Sequence, residues 1–222
     1  VPGTEQVERR EEEDTEDGTE LPDLTDDDTG TLPRKYYVDT GQVEVIAHLV
    51  YELDPDGKQL RVVKLSDYTA EKVRTIYSSA ARLRVDWANP TLRADIISQL
   101  EERGISLDAL RKATQQPDAD PFDLLCHVAF NAPLRTRRER ADRLRKEEAA
   151  FFEQYGPQAR VVLDELLEKY AEHGTAQFAI PDVLKVPPIS QHGNVIEIAG
   201  LFGGPARLRE AVNELQNLLY AA

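Results

Sequence analysis

Proline divides this chain. Its ring clashes inside a helix but is tolerated in the first turn, where the missing N–H would be unpaired anyway. Pro90, Pro121, Pro157 and Pro205 each stand where a run of helically spaced apolar residues begins. They therefore open helices rather than interrupt them. Pro90 leads into Leu92, Ile96 and Leu100, expected to face inward, with Gly104 as the stop. Asp120-Pro121 caps and opens a segment that is apolar nearly all round to Phe130, a helix expected to be buried. Gly156-Pro157 ends one helix and starts the next, which places Leu163, Leu166, Leu167 and Tyr170 on one face. Pro205 opens the last helix, with Leu208, Ala211, Val212, Leu215, Leu218 and Leu219 inward.

Other signals fill the gaps. Thr69 is placed to cap a helix carrying Val73, Ile76, Tyr77, Ala80 and Leu83. A short helix is expected over 106–114. Thr136-x-x-Glu139 is a capping box, expected to launch one long helix to Tyr155. The Pro-punctuated stretch AIPDVLKVPPISQHG precedes two closing helices. Before all of these, KYYVDTGQVEVIAHLVYELDPDGKQLRVVKL is rich in β-formers, and DPDG separates two alternating runs. Strands are expected near 35–39, 43–53 and 59–65. The fold class is mainly α: a helical domain of about seven or eight helices, residues 67–222, preceded by a small antiparallel β-hairpin element, residues 34–66.

The first 32 residues have a different character. They hold thirteen carboxylates and two arginines, a net of −11, so a chain with total charge −14 leaves only −3 for the remaining 190 residues. With few apolar residues, 1–33 reads as an acidic, disordered linker. One cysteine among 222 residues excludes a disulfide framework and any cysteine-based zinc site, and fits a cytoplasmic location. His48, His127, His173 and His192 show no ligand spacing. No apolar run approaches the roughly 18 residues of a membrane span. The chain has no methionine, not even at position 1, and reads as a piece of something longer.

Cys126 beside His127 invites comparison with a thiol nucleophile and its base. Adjacent helical residues point about 100° apart, however, and a thiol in apolar surroundings is inert. Cys126 is expected to be structural, and His127 partly buried with a backbone or carboxylate partner. Asp118, Asp120 and Asp123 surround a helix N-terminus, where capping accounts for them. GLFGG, residues 200–204, lacks the Lys-Ser/Thr of a phosphate-binding loop and follows a helix, so it reads as a corner packed by Leu201 and Phe202. The features are those of a binding module, with no catalytic or metal residues and no cofactor. The run RTRRERADRLRK, residues 135–146, is the candidate surface: Arg135, Arg137, Arg138, Arg140 and Arg143 could meet duplex phosphates or an acidic partner. The competing reading is a solvated face laced by i,i+4 ion pairs such as Glu139–Arg143.

QPDADPFDLLCHVAFNAPLRTRRERADRLRK, FAIPDVLKVPPISQHGNVIEIAGLFGG and LREAVNELQNLLYA resemble the C-terminal region of the restriction (R) subunit of Type I restriction-modification enzymes. KYYVDTGQVEVIAHLVYELDPDGKQL is similar to the segment following the motor in those proteins. The resemblance implies a parent with nuclease and motor domains that use ATP and magnesium. It implies modification methyltransferase subunits, the parent's own motor domains and duplex DNA as partners. This chain has no GxxxxGK[ST], so no nucleotide-binding residue carries over. The implied role is an assembly module that docks the motor subunit on the methyltransferase, with Leu201, Phe202 and the arginines as candidate contacts. A DNA-backbone-contacting module is the alternative. Replacing Arg137, Arg138 and Arg140 is expected to weaken docking and leave the fold intact.

Overall fold

The computed structural model describes residues 34–38, 41–46 and 48–221. The expected acidic linker, 1–33, lies outside them.

Four strands form one antiparallel sheet in chain order: β1 (Arg34–Val38), β2 (Gly41–Ile46), β3 (Leu49–Leu53) and β4 (Gln59–Lys64). The single strand expected over 43–53 is thus two. Ile46 pairs with Leu49, and His48, just before Leu49, takes φ 68°. Histidine is among the side chains that tolerate this left-handed region, which explains a turn without glycine. The DPDG turn forms as expected: Asp54 Oδ1 accepts from the N–H groups of Asp56 and Lys58, and Gly57 takes φ 84°. Val43 and Val50 on one sheet face are buried. The chain meets the sheet again at Gly104, where φ is 79° and a Cβ would lie 2.8 Å from Cδ2 of Tyr36. Glycine is required there for both reasons.

Ten α-helices follow among the described residues: α1 (Leu65–Ile76), α2 (Ala80–Ala88), α3 (Pro90–Glu102), α4 (Leu107–Thr114), α5 (Pro121–Phe130), α6 (Arg137–Glu147), α7 (Ala149–Glu153), α8 (Pro157–His173), α9 (Val195–Leu201) and α10 (Pro205–Ala221). Three 3-10 turns, Thr175–Phe178, Asp182–Lys185 and Ile189–His192, occupy the Pro-punctuated stretch. The four prolines all stand at helix openings.

Three local expectations are corrected. Thr69 does not cap a helix; α1 leaves β4 directly, and Thr69 lies buried within it, its hydroxyl donating to the Leu65 carbonyl at 2.7 Å. The helix expected from Thr136 to Tyr155 breaks at Glu148 (φ −112°, ψ 36°). Beyond the break Phe151 is buried, with the rings of Phe152 and Tyr155 at 5.2 and 5.4 Å. On α3 Leu92 is exposed and Arg93 buried, because Arg93 reaches inward to the Trp87 carbonyl and to Gln216. The core runs through α5 (Leu124, Leu125), α8 (Leu163, Leu166, Leu167) and α10 (Leu208, Val212, Leu215, Leu219).

Candidate interaction surface

The segments that lead into α5 and α6 are joined to each other, which brings the starts of the two helices together. Ala119 bridges Thr136; the Asp120 N–H donates to the Arg135 carbonyl and the Arg137 N–H to that of Asp118. Asp120 then caps α5 through the Phe122 N–H at 2.8 Å, and Thr136 and Glu139 close the capping box of α6. One turn inward from these caps, Asp123 and Arg140 meet. Arg140 Nε and Nη2 donate to the two carboxylate oxygens of Asp123 at 2.8 and 2.7 Å, and Nη1 donates to the Leu219 carbonyl at 2.6 Å. Its guanidinium lies 4.9 and 5.2 Å from the ring centroids of Tyr220 and Phe122. Asp120 Oδ2 accepts from the hydroxyls of Tyr170 and Tyr220 at 2.5 and 3.1 Å.

Arg140 is 3% exposed and so does not belong to the expected surface. Burial opposes its charge, but the hydrogen bonds it donates to Asp123 and the charges of Asp120 and Asp123 more than offset this and raise its pKa. The other arginines of α6 stay near solvent, mostly ion-paired. Arg138 Nη1 donates to Glu168 on α8, Arg143 Nε to Glu147 at 2.7 Å, and Arg145 to Asp142, Asp164 and Glu168. Glu168 is accordingly held below its ordinary pKa, first by the Arg138 hydrogen bond. Arg137 differs: it makes only long contacts, 3.4 and 3.5 Å, to the carbonyls of Ala171 and Ala119, and lines an open cleft with Arg111, Lys112 and His173. Arg135 lies half-buried before α6.

At the other candidate site, the corner GLFGG turns as expected, with Gly203 at φ 88° and Pro205 opening α10. Phe202 is only 6% exposed, its ring 5.6 Å from that of Tyr155, so it packs inward rather than offering a contact. Leu201 is half-buried. The exposed apolar residue of α9 is Ile196, at 81%.

The family described as EcoEI R protein C-terminal matches residues 64–220, well over half of the chain. The chain belongs to this family. It is also 37% identical over 202 residues to the Type I restriction enzyme EcoAI endonuclease subunit of Escherichia coli. That alignment covers 87% of this chain and 24% of the relative, so the chain spans about a quarter of the relative's length. No solved structure matches the chain.

In this R-protein C-terminal region the match begins at the last residue of β4 and runs to within one residue of the end of α10. Cys126 is buried and unpaired in α5, and desolvation pushes its thiol pKa up to about 12. His127 is exposed rather than partly buried, with Nδ1 2.9 Å from the Ala132 carbonyl. The two residues do not form a nucleophile–base pair. Among the described residues no group of three or more His, Cys, Asp or Glu is placed to hold a metal ion, and no helix is long and apolar enough to cross a membrane. Sequence reasoning missed the inward role of Arg140. The signal was present, since Leu144 lies four residues later on the same helical face.

Proposed function

We propose that this region is an assembly module that docks the longer R subunit, which would carry the ATP-driven motor and nuclease, onto the modification methyltransferase subunits. The observation that carries the reading is a set of exposed aliphatic side chains, Val161 on α8, Val186 beyond the 3-10 turn at Asp182–Lys185, and Ile196 on α9. α9 packs on both α8 and the 3-10 turn at Asp182–Lys185. Apolar side chains displayed on a rigid, packed support are the usual centre of a protein interface. The match to a protein named as a subunit of a multi-subunit enzyme supports this role. In this reading the region performs no chemistry itself; ATP hydrolysis and magnesium-dependent cleavage belong to other parts of the parent. Arg138, Arg143 and Arg145 of α6 are already engaged with carboxylates of α6 and α8, which favours protein docking over a phosphate-tracking surface.

The test is sedimentation of the chain with its cognate methyltransferase, with and without duplex containing the recognition site. Co-sedimentation without DNA is expected, weakened at least tenfold by Ile196→Glu together with Val186→Glu. Binding to duplex alone that declines steeply with salt, and none to the methyltransferase, overturns the reading in favour of DNA contact.

A further inference from the structure

The cleft that Arg137 lines measures about 460 Å³ and lies between α4 (Arg111, Lys112), the first residue of α6 (Arg137) and the last of α8 (His173). That size is in the range of small-molecule sites. Two guanidinium groups converge in it. Arg111 Nε and Arg137 Nη1 both donate to the Ala119 carbonyl, at 3.4 and 3.5 Å, and Arg137 Nε donates to the Ala171 carbonyl at 3.4 Å. The Arg137 stem passes Gly174, where a Cβ would lie 3.8 Å from its Cδ. One carbonyl therefore holds two like charges near each other, through bonds longer than ordinary N–H···O bonds. Nη2 of each arginine makes no hydrogen bond to a described residue. Lys112, exposed in the last turn of α4, makes no hydrogen bond or ion pair to a described residue.

Charge decides what such a cleft takes. Against Arg111, Lys112 and Arg137 its lining sets one carboxylate, Asp108, which pairs with Arg111. Lys112 and Arg137 are then unmatched by any carboxylate of the lining. A carboxylate ligand would answer one of the two charges, whereas a dianion answers both from one place. Guanidinium forks suit phosphate oxygens in particular, through paired N–H···O bonds. Pro117 is the only apolar side chain of the lining, so the cleft can recognise a charged group but not an apolar body. The exposed carboxylates of Asp108 and of Glu172, 3.6 Å from His173 Nε2, would repel a polyanion laid across the cleft. A small ligand is favoured over a duplex.

We propose that this cleft binds the phosphate group of a small ligand, with Arg137, Arg111 and Lys112 as its donors. The site is separate from the exposed aliphatic side chains of α8 and α9, and it does not depend on the docking role.

The experiment is titration of the 222-residue chain with inorganic phosphate at pH 8 and constant ionic strength, followed by the arginine Nε–H resonances in nitrogen-15 NMR. Saturable shifts of the Arg111 and Arg137 signals are expected. Arg137→Gln should weaken binding about tenfold, as loss of charge-assisted bonds does. Lys112→Gln, on the exposed side of α4, should weaken it severalfold with an unchanged melting midpoint, and this variant decides if Arg137→Gln fails to fold. Shifts that never saturate, or equal affinity in Lys112→Gln, overturn the proposal. So does a short duplex that displaces phosphate at a lower concentration of phosphate groups, which would assign the cleft to a nucleic-acid backbone.

Discussion

Arg140 and Asp123 form a two-pronged ion pair inside the protein, 17 residues apart in sequence and each one turn inside its own helix. The pair joins α5 to α6, and the third bond of Arg140, to the Leu219 carbonyl, brings in α10. The arginine is therefore part of the core, which changes what its replacement does.

Arg140→Ala strands the Asp123 carboxylate in an apolar interior. It should destabilise the fold by about 3–5 kcal/mol, as loss of one partner of a buried pair does. Arg138→Ala breaks a solvent-exposed pair with Glu168 and should cost at most about 1 kcal/mol. Urea titration followed by circular dichroism separates the two. Equal midpoints would place Arg140 at the surface after all.

Tyr220→Phe removes one of two hydroxyls donated to Asp120 Oδ2 and leaves the ring packed on Phe122. A loss of about 1–3 kcal/mol is expected for under-satisfying a buried carboxylate. The same titration reads it, with near-UV dichroism reporting intact aromatic packing.

Leu125→Ala deletes a fully buried side chain from the middle of α5. The expected cost is about 2–5 kcal/mol. A melting transition unchanged from wild type would mean that α5 is not the central helix.

Cys126, with its pKa near 12, has almost no thiolate at pH 8. Iodoacetamide should modify it slowly in the folded protein and at the rate of a free thiol in urea. The ratio of the two rates, by mass spectrometry, measures the protection. Rapid alkylation of the folded chain would reopen the case for a reactive thiol.

Hydrogen bonds from the backbone and hydroxyl of Thr136 depress the Glu139 pKa below 4.5. The folded value lies below the unfolded one, so its contribution is full above 4.5 and is lost as pH falls through the lower folded value. Glu139→Gln should flatten that part of the acid-unfolding curve. A variant with the wild-type slope below pH 4.5 would exclude Glu139 as a contributor.

Local chemistry was legible in the sequence; partner choice across distance was not. Pro121 and Pro205 have one compatible place in a helix, and Thr136 with Glu139 recognise each other within a single turn, so these positions could be located from the residues alone. His48 could not, because its left-handed turn uses a side chain that only tolerates the conformation. Arg140 was misplaced for another reason. A run of arginines looks uniform until the fold supplies Asp123 to one and Glu168 to its neighbour. Phe202 likewise faces inward because Tyr155, 47 residues before it, is there to receive it.

The bond from Tyr220 to Asp120 spans 100 residues. On the ribosome, Asp120 must therefore wait for the synthesis of a hundred further residues, about 5–20 s at ordinary rates, before its second phenol arrives. Through that interval α5 has its own caps but not α10. The aromatic side of Phe122 and Trp87 is left without the Tyr220 ring that later covers it. A growing chain in this state offers a chaperone a defined apolar target, which α10 removes when it docks.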